Sequence, residues 1–381
     1  MRFPGFGGEW EKIKLGALGQ IVGGGTPDTT KAEYWNGDIQ WFTPSEVGKE
    51  KYVSQSQRQI TQSGLNDSSA KLLPPGSVLL SSRATVGECS LNLMECCTNQ
   101  GFQSFIPSRE FVDGEFLYYL LQTHKRDFLR KACGSTFLEI SAKQIGKVFT
   151  HIPQLDEQLK ISSFLSKIDH RIAIQNKVIE DIQALKKATA SRVLFTKRGE
   201  KKTLGEITEQ FSIRNREREQ VPMYSVTNDK GFIPQNEQFE DREMTAEDIT
   251  AYKLIHKGDI AYNPARINVG SIAQYKGDGI CMISSLYVCI RAKWGISSRW
   301  LMHILKSDQL LFYYNLYAEG GVRLYLFYPN FARIRVFVPS FEEQERTADI
   351  LDLLDNKEQL EKRVYQGLIK QKKSLLSKLF I

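Results

Sequence analysis

The sequence predicts an α+β protein made of two mixed α/β globular parts and a pair of long helices. Three observations carry this. The chain matches itself at a shift of 186 residues, two polar segments carry apolar residues at helical spacing, and the remainder consists of short β-rich runs between turn residues.

The repeat organises everything else. At that shift Pro153-Gln154-Leu155-Asp156-Glu157-Gln158 falls on Pro339-Ser340-Phe341-Glu342-Glu343-Gln344. Leu165 falls on Leu351, Asp169 on Asp355, Lys186-Lys187 on Lys372-Lys373 and Ser191 on Ser377. With small indels the match extends upstream: Leu15-Gly16 recurs as Leu204-Gly205, and Gly134 and Leu138 recur as Gly320 and Leu324. Gly76, Arg83 and Gly87 likewise pair with Gly258, Arg266 and Gly270. So many coincidences at nearly one offset indicate a duplicated unit, a globular part followed by a long polar segment.

Each polar segment predicts a helix. Ile161, Leu165, Ile168, Ile172, Ile179, Ile182 and Val193 follow a heptad-like seam, interrupted by Gln175, Lys186 and Thr189. Residues 154–196 contain no Gly or Pro, Pro153 and Pro339 mark the starts, and Asp156-Glu157 and Glu342-Glu343 place negative charge in the first turns. The second seam runs through Leu351, Leu354, Tyr365, Leu368, Leu375 and Leu379, with Glu358 and Glu361 weakening it. Gly367 there costs about 1 kcal/mol relative to Ala. A lone helix with one apolar stripe must bury it, and the other copy is the nearest partner. Such a run of residues reaches roughly 57 Å, the length of a spacer.

In the globular parts Ser77–Ser81, Gly258–Tyr262 and Ile334–Val338 predict strands, and one helical stretch is expected in each, over 114–131 and 298–316. The boundaries read as 1–152, 153–197, 198–338 and 339–381.

Composition narrows the function. Against 44 acidic residues stand 51 Lys and Arg, a net charge of +7 that favours a polyanionic partner such as nucleic acid. The sequence has no apolar run of membrane-spanning length and no signal-peptide core, so a cytoplasmic protein with no membrane partner is expected. The six cysteines form no C-x-x-C pair and read as packed thiols, with no metal expected.

Catalytic motifs fail one by one. Gly23-Gly24-Gly25 is followed by Thr26-Pro27 and lacks the Lys-Ser/Thr of a phosphate-binding loop. No H-E-x-x-H or G-x-S-x-G occurs, and the five histidines are scattered. Asn263-Pro264 is followed by Ala265-Arg266 rather than by the Pro-aromatic pair of an adenine methyltransferase loop, and Pro27-Asp28 is followed by no acidic-x-Lys of a nuclease. No catalytic residue and no bound cofactor are therefore expected. What remains is paired polarity. The pattern predicts a strand that delivers Arg83, and another that delivers Arg266, into a tight turn, where arginine either grips phosphate or guanine or forms a structural ion pair. Around them Ser82, Thr85, Asn99 and Gln100 in one copy, and Asn263, Asn268, Ser284 and Ser285 in the other, have the donors and acceptors that read base edges, and are equally ordinary loop residues.

These residues resemble the specificity subunits of Type I restriction-modification systems. The resemblance rests on Trp10, Leu15-Gly16, Gly24-Gly25-Thr26-Pro27, Tyr34-Trp35, Gly37-Asp38-Ile39 and Trp41 at the start. It rests also on Pro153 with Glu157-Gln158, Ile161, Leu165, Asp169 and Ile172, a pattern that recurs partly eroded at Pro339 with Glu343, Gln344, Leu351 and Asp355. It covers essentially the whole chain. It implies two target recognition domains, 1–152 and 198–338, each reading half of a split sequence in double-stranded DNA. The helices would pack as an antiparallel coiled-coil spacer and dock partners. Those partners would be two modification subunits carrying S-adenosylmethionine and restriction subunits with an ATP-driven motor. Two other classes fit the residues: a recognition subunit of a methylation-based defence system without a restriction partner, and a divergent DNA methyltransferase.

Overall fold

A computed structural model describes residues 2–134, 138–196, 198–235, 248–321 and 323–380. Lys197 and Ile381, where the two spacer segments were expected to end, lie outside them. The chain divides into two compact units, Met1–Asn176 with Arg363–Ile381, and Lys177–Lys362.

The first unit runs β1 (Glu11–Lys14), β2 (Gly19–Gly23), β3 (Trp35–Phe42), β4 (Tyr52–Val53), β5 (Arg58–Ile60), α1 (Gln62–Asn66), β6 (Val78–Leu80), β7 (Cys89–Asn92), β8 (Cys96–Thr98) and β9 (Gln103–Pro107). There follow α2 (Gly114–Thr123), α3 (Lys125–Lys131), α4 (Ala142–Gly146), β10 (Phe149–Ile152) and the first part of α5 (Leu155–Leu194). Its sheets have the orders β2-β9-β6-β7-β4, β5-β3-β8 and β1-β10.

The second unit takes the rest of α5, then β11 (Glu200–Thr203), α6 (Leu204–Ile207), β12 (Thr208–Phe211), β13 (Tyr224–Thr227), β14 (Gly231–Pro234), β15 (Lys253–Ile255), β16 (Ile260–Tyr262), β17 (Ile272–Gln274), β18 (Cys281–Ile283) and β19 (Val288–Ala292). After these come α7 (Ser298–Leu305), α8 (Asp308–Tyr317), α9 (Tyr328–Phe331), β20 (Arg335–Val338) and the start of α10 (Phe341–Leu379). Here the orders are β12-β19-β16-β17, β13-β14, β15-β18 and β11-β20. The order β12-β19-β16-β17 retraces β2-β9-β6-β7, and β11-β20 retraces β1-β10, so the duplication read from the sequence is a duplication of topology.

The expected strands form, but each expected helical stretch is two helices. His124 leaves the helix with its ring between Asp127 and Thr150, and the chain turns before α3. In the second unit Ser307 accepts from Leu310 N and starts α8 afresh, a side-chain cap that favours a new start over a continuous helix. Short helices let Phe116, Leu117, Leu120 and Phe128, or Trp300, Leu301, Ile304 and Tyr314, all reach one core.

Each core extends onto the long helices. In the first, Ile161 and Leu165 of α5 and Leu379 and Phe380 at the end of α10 are buried with Phe116. In the second, Leu194 of α5 and Ala348 and Leu351 of α10 are buried with Trp300. In each unit the beginning of one long helix meets the end of the other, so within each unit the two helical segments run antiparallel. Gly367 does not interrupt α10, which runs unbroken for 39 residues.

Candidate nucleic-acid interface

In the first unit four loops meet at one edge of the sheets. The glycine run after β2 is forced against the end of β8: a Cβ on Gly24 would lie 1.9 Å from Asn99 O, and one on Gly25 2.3 Å from Ala70 N. Gly25 N donates to Thr98 O at 2.8 Å, and Trp41 Nε1 donates to Gly25 O at 2.8 Å. The glycines are there for close packing of backbone. The β8–β9 loop joins through Thr26, which bonds Gln100 Oε1, and through Asn99 Oδ1, which accepts from Gly101 N. The turn after β6 packs beside it, Ser82 N donating to Gly101 O at 2.8 Å and Thr85 Oγ1 to Pro44 O at 3.4 Å. Thr85 N donates to Arg83 O at 2.7 Å across Ala84, whose φ is +63°, a left-handed conformation that costs a non-glycine residue stability. The tip is thus held in one strained shape that exposes Thr85.

Arg83 does not stand free there. Its guanidinium is bound to Glu139 Oε2 at 2.6 Å, both side chains being about two-fifths exposed. Ser82 is corrected outright: it is fully buried, with its hydroxyl sealed from solvent, and cannot reach a base. Gln100 and Thr85 are exposed and Asn99 half-exposed.

The second unit builds its counterpart differently. Asn263 Oδ1 accepts from Ala265 N, Arg266 N donates to Asn263 O, and a short 3-10 turn over Ile267–Val269 closes on Gly270 at φ +90°. Leu326 N bonds Pro264 O as Ile140 N bonds Ser82 O, both at 3.0 Å. Pro264 therefore stands where Ser82 does, and Arg266 lies one residue past the position of Arg83. Tyr325 stands where Glu139 does in the first unit. Arg266 is exposed, and no ion pair holds its side chain among the described residues. Asn268 Nδ2 donates to Asn315 Oδ1 on α8 at 3.1 Å. Ser284 accepts from Leu286 N within its own loop, and Ser285 is exposed.

The helix residues that carry the resemblance mostly face inward. Gln158 is fully buried: its Oε1 accepts from Asp113 N at 3.0 Å, and its Nε2 donates to Phe111 O and Pro153 O, both at 2.9 Å. Gln344 repeats this, accepting from Ser297 N at 2.8 Å and donating to Gly295 O and Pro339 O. In each unit this amide pins the long helix to the loop that begins α2 or α7. Glu157 is buried against Arg2 at 2.8 Å, whereas Glu343 caps its own helix through Ser340. Ile161, Leu165 and Leu351 are core residues and Ile172 is half-buried.

Asp169 and Asp355 form reciprocal pairs. Asp169 on α5 meets Lys372 on α10 at 2.6 Å, and Asp355 on α10 meets Lys186 on α5. These are the repeat equivalents of one another with the helices exchanged. The seam glutamate Glu358 is buried and satisfied by Gln183 Nε2 at 2.8 Å and by Lys186. Burial pushes its carboxyl up, but hydrogen bonds from Lys362 and Gln183 and the charge on Lys186 outweigh that, and it is held below the usual range.

Sequence reasoning missed Lys51, whose ammonium donates to Glu115 at 2.8 Å, Tyr119 at 3.1 Å and Ser166 at 3.0 Å, tying β4 to α2 and α5. Its partners lie 64, 68 and 115 residues away, so no local pattern marks it. It missed, too, the stack of Arg58 on Trp35, 3.4 Å from the ring centre, which spans separate strands. Five cysteines are buried and Cys133 is exposed; burial pushes Cys97 and Cys289 up to about 12, so they are thiols at neutral pH. His303, Asp352 and Asp355 cluster, but His303 and Arg299 bind Asp352 and Lys186 binds Asp355. No described helix is long and apolar enough to cross a membrane.

Two copies of one α+β unit, each carrying a polar loop edge on its sheets and each tied by an equivalent buried glutamine to its own part of the long helices, define a tandem-repeat scaffold. Residues 7–184 match the family model of the Type I restriction modification DNA specificity domain. The chain is 36% identical to the Type I restriction enzyme MjaIX specificity subunit of Methanocaldococcus jannaschii over 181 residues, 46% of this chain and 42% of the relative. To the EcoprrI specificity subunit of Escherichia coli it is 23% identical over 380 residues, 92% of this chain and 88% of the relative. The matches to MjaIX and to the Escherichia coli EcoR124I/EcoR124II specificity subunit span about two-fifths of those relatives. The fold is that of the S subunit of the Type I restriction-modification system from M. genitalium, with a TM-score of 0.62 at 18% identity over 100% of this chain and 99% of that one.

Proposed function

We propose that the chain is the DNA-reading subunit of a Type I restriction-modification complex, recognising a two-part site in double-stranded DNA with one loop edge per unit. The observation that carries this is the duplicated loop edge itself, the same strands delivering different polar residues on an invariant frame. Contacts to phosphate set the register and side chains on the loops read base edges. The reading extends to partners: two modification subunits supply S-adenosylmethionine and the methyl transfer, with the target adenine turned out of the stack into their pocket, and restriction subunits supply ATP-driven cleavage. The chain itself carries out no chemistry and works in the cytoplasm, where its DNA is.

The test is a map of methylated bases in cells with and without the gene. A two-part motif that vanishes on deletion is expected. Replacing residues 198–338 with those of a relative should change one half of that motif and leave the other. A motif unchanged by deletion overturns the proposal.

A further inference from the structure

The outer face of α3 differs between the repeats in a way that assigns it a task. Ala132 N donates to Phe128 O and Ala318 N to Tyr314 O, and with the Ile140 and Leu326 bonds this fixes the correspondence of the two units here. Arg126, Arg130, Lys131 and Lys143 then stand where the second unit has Phe312, Leu316, Tyr317 and Pro329. Phe312 and Leu316 are 66% and 64% exposed, so the second unit's face is open and apolar. In the first unit the same face is open and cationic. Phe128 points into the core, while Arg126 and Arg130, one turn apart, point away from it. Arg130 is 78% exposed and only 3.9 Å from Asp127, and among the described residues Arg126, Lys131 and Lys143 have no ion-pair partner.

This face continues into the Arg83 turn. Lys125 on the flank of α3 pairs with Glu88, and a Cβ on Gly87 would lie 2.8 Å from Lys125 Cγ. Gln144 Nε2 donates to Lys131 O at 2.8 Å, fastening α4 and its Lys143 beside α3.

We propose that this face grips the phosphate backbone of duplex DNA beside the half-site read by the first unit. The first unit then supplies a salt-sensitive, sequence-independent share of affinity that the second lacks at the equivalent place. The proposal rests on the DNA-reading function above. Guanidinium forks suit phosphate oxygens, and α3 exposes no aromatic ring between its cations, which a single-strand platform would need for stacking.

The experiment measures binding of the full chain to a random-sequence duplex across a series of salt concentrations, since gripping phosphate needs no target sequence. The variant Arg126→Ala/Arg130→Ala/Lys131→Ala should flatten the slope of log affinity against log salt by about 0.9 for each phosphate no longer neutralised, so by up to nearly three. Arg126→Lys/Arg130→Lys should keep the wild-type slope, and Phe312→Ala/Leu316→Ala should leave it unchanged. The substituted groups are exposed, and a melting curve matching wild type shows that the fold survives. A triple variant that melts normally and keeps the wild-type slope overturns the inference, while the function stands if the methylated motif persists. A wild type that binds no duplex at low salt overturns both.

Discussion

At the scale of single residues the two glutamines and the two arginines make opposite cases. Gln158 and Gln344 each satisfy a buried loop N–H, so Gln158→Ala or Gln344→Ala should cost about 1–3 kcal/mol, seen as a lower midpoint in chemical denaturation. Retained stability in both would mean that the loops find other partners. Arg83 is engaged by Glu139 and Arg266 is not. Arg266→Ala should therefore weaken duplex binding and flatten its salt slope by about 0.9, whereas Arg83→Ala alone should do less. Glu139→Gln should raise affinity by releasing Arg83. Equal losses for the two alanine variants would show that DNA displaces Glu139 at no cost. That the arginines share a turn was legible in the repeat. That they sit one residue out of step was not, because Arg83–Gly87 and Arg266–Gly270 keep the same spacing and the extra residue between Gly258 and Arg266 reads as one more small indel.

At the scale of elements the helix pair is the informative case. Gly367 lies in a helical run where a Cβ would meet nothing within 4 Å, so Gly367→Ala should stabilise the protein by about 1 kcal/mol, measured by thermal melting. No gain would mean that residual helix in the unfolded chain already absorbs the difference. The ionic seam sets a pH window. Glu358 has a folded pKa below its ordinary 4.5, so its stabilisation is fully present above that value and is lost as pH falls through the folded one. Burial lowers Lys186, but Asp355 and Glu358 more than compensate and raise it above 10.5; its contribution is present below that value and is lost as pH rises through the folded one. Glu358→Gln should flatten the acid limb of a stability profile and shrink the alkaline limb to the part that Asp355 holds in Lys186. An unchanged acid limb would assign it to other carboxylates, such as Glu115. The sequence showed Glu358 and Lys186 as faults in an apolar seam. Only the partner helix reveals them as a pair.

At the scale of the whole molecule the expectation is division of labour. The purified chain should neither methylate nor cut DNA, and methylation should follow when a modification subunit is added. Methyl transfer by the chain alone, free of contaminating partner, would sink the proposed function. What the sequence by itself determined is the duplication, the two long helices with their acidic starts, the strand-rich units and the resemblance to Type I specificity subunits. Periodicity and repetition are local or translational patterns, and they survive in one dimension. What only the tertiary structure decided is which of the paired polar residues face outward. Ser82 and Gln158 turned inward, Arg83 found Glu139 across 56 residues, and Arg126 and Arg130 were left on an open face. The physical reason is that burial and ion pairing are set by neighbours distant in the chain, and a polar side chain looks the same in sequence whether its partner is another residue, the solvent or DNA.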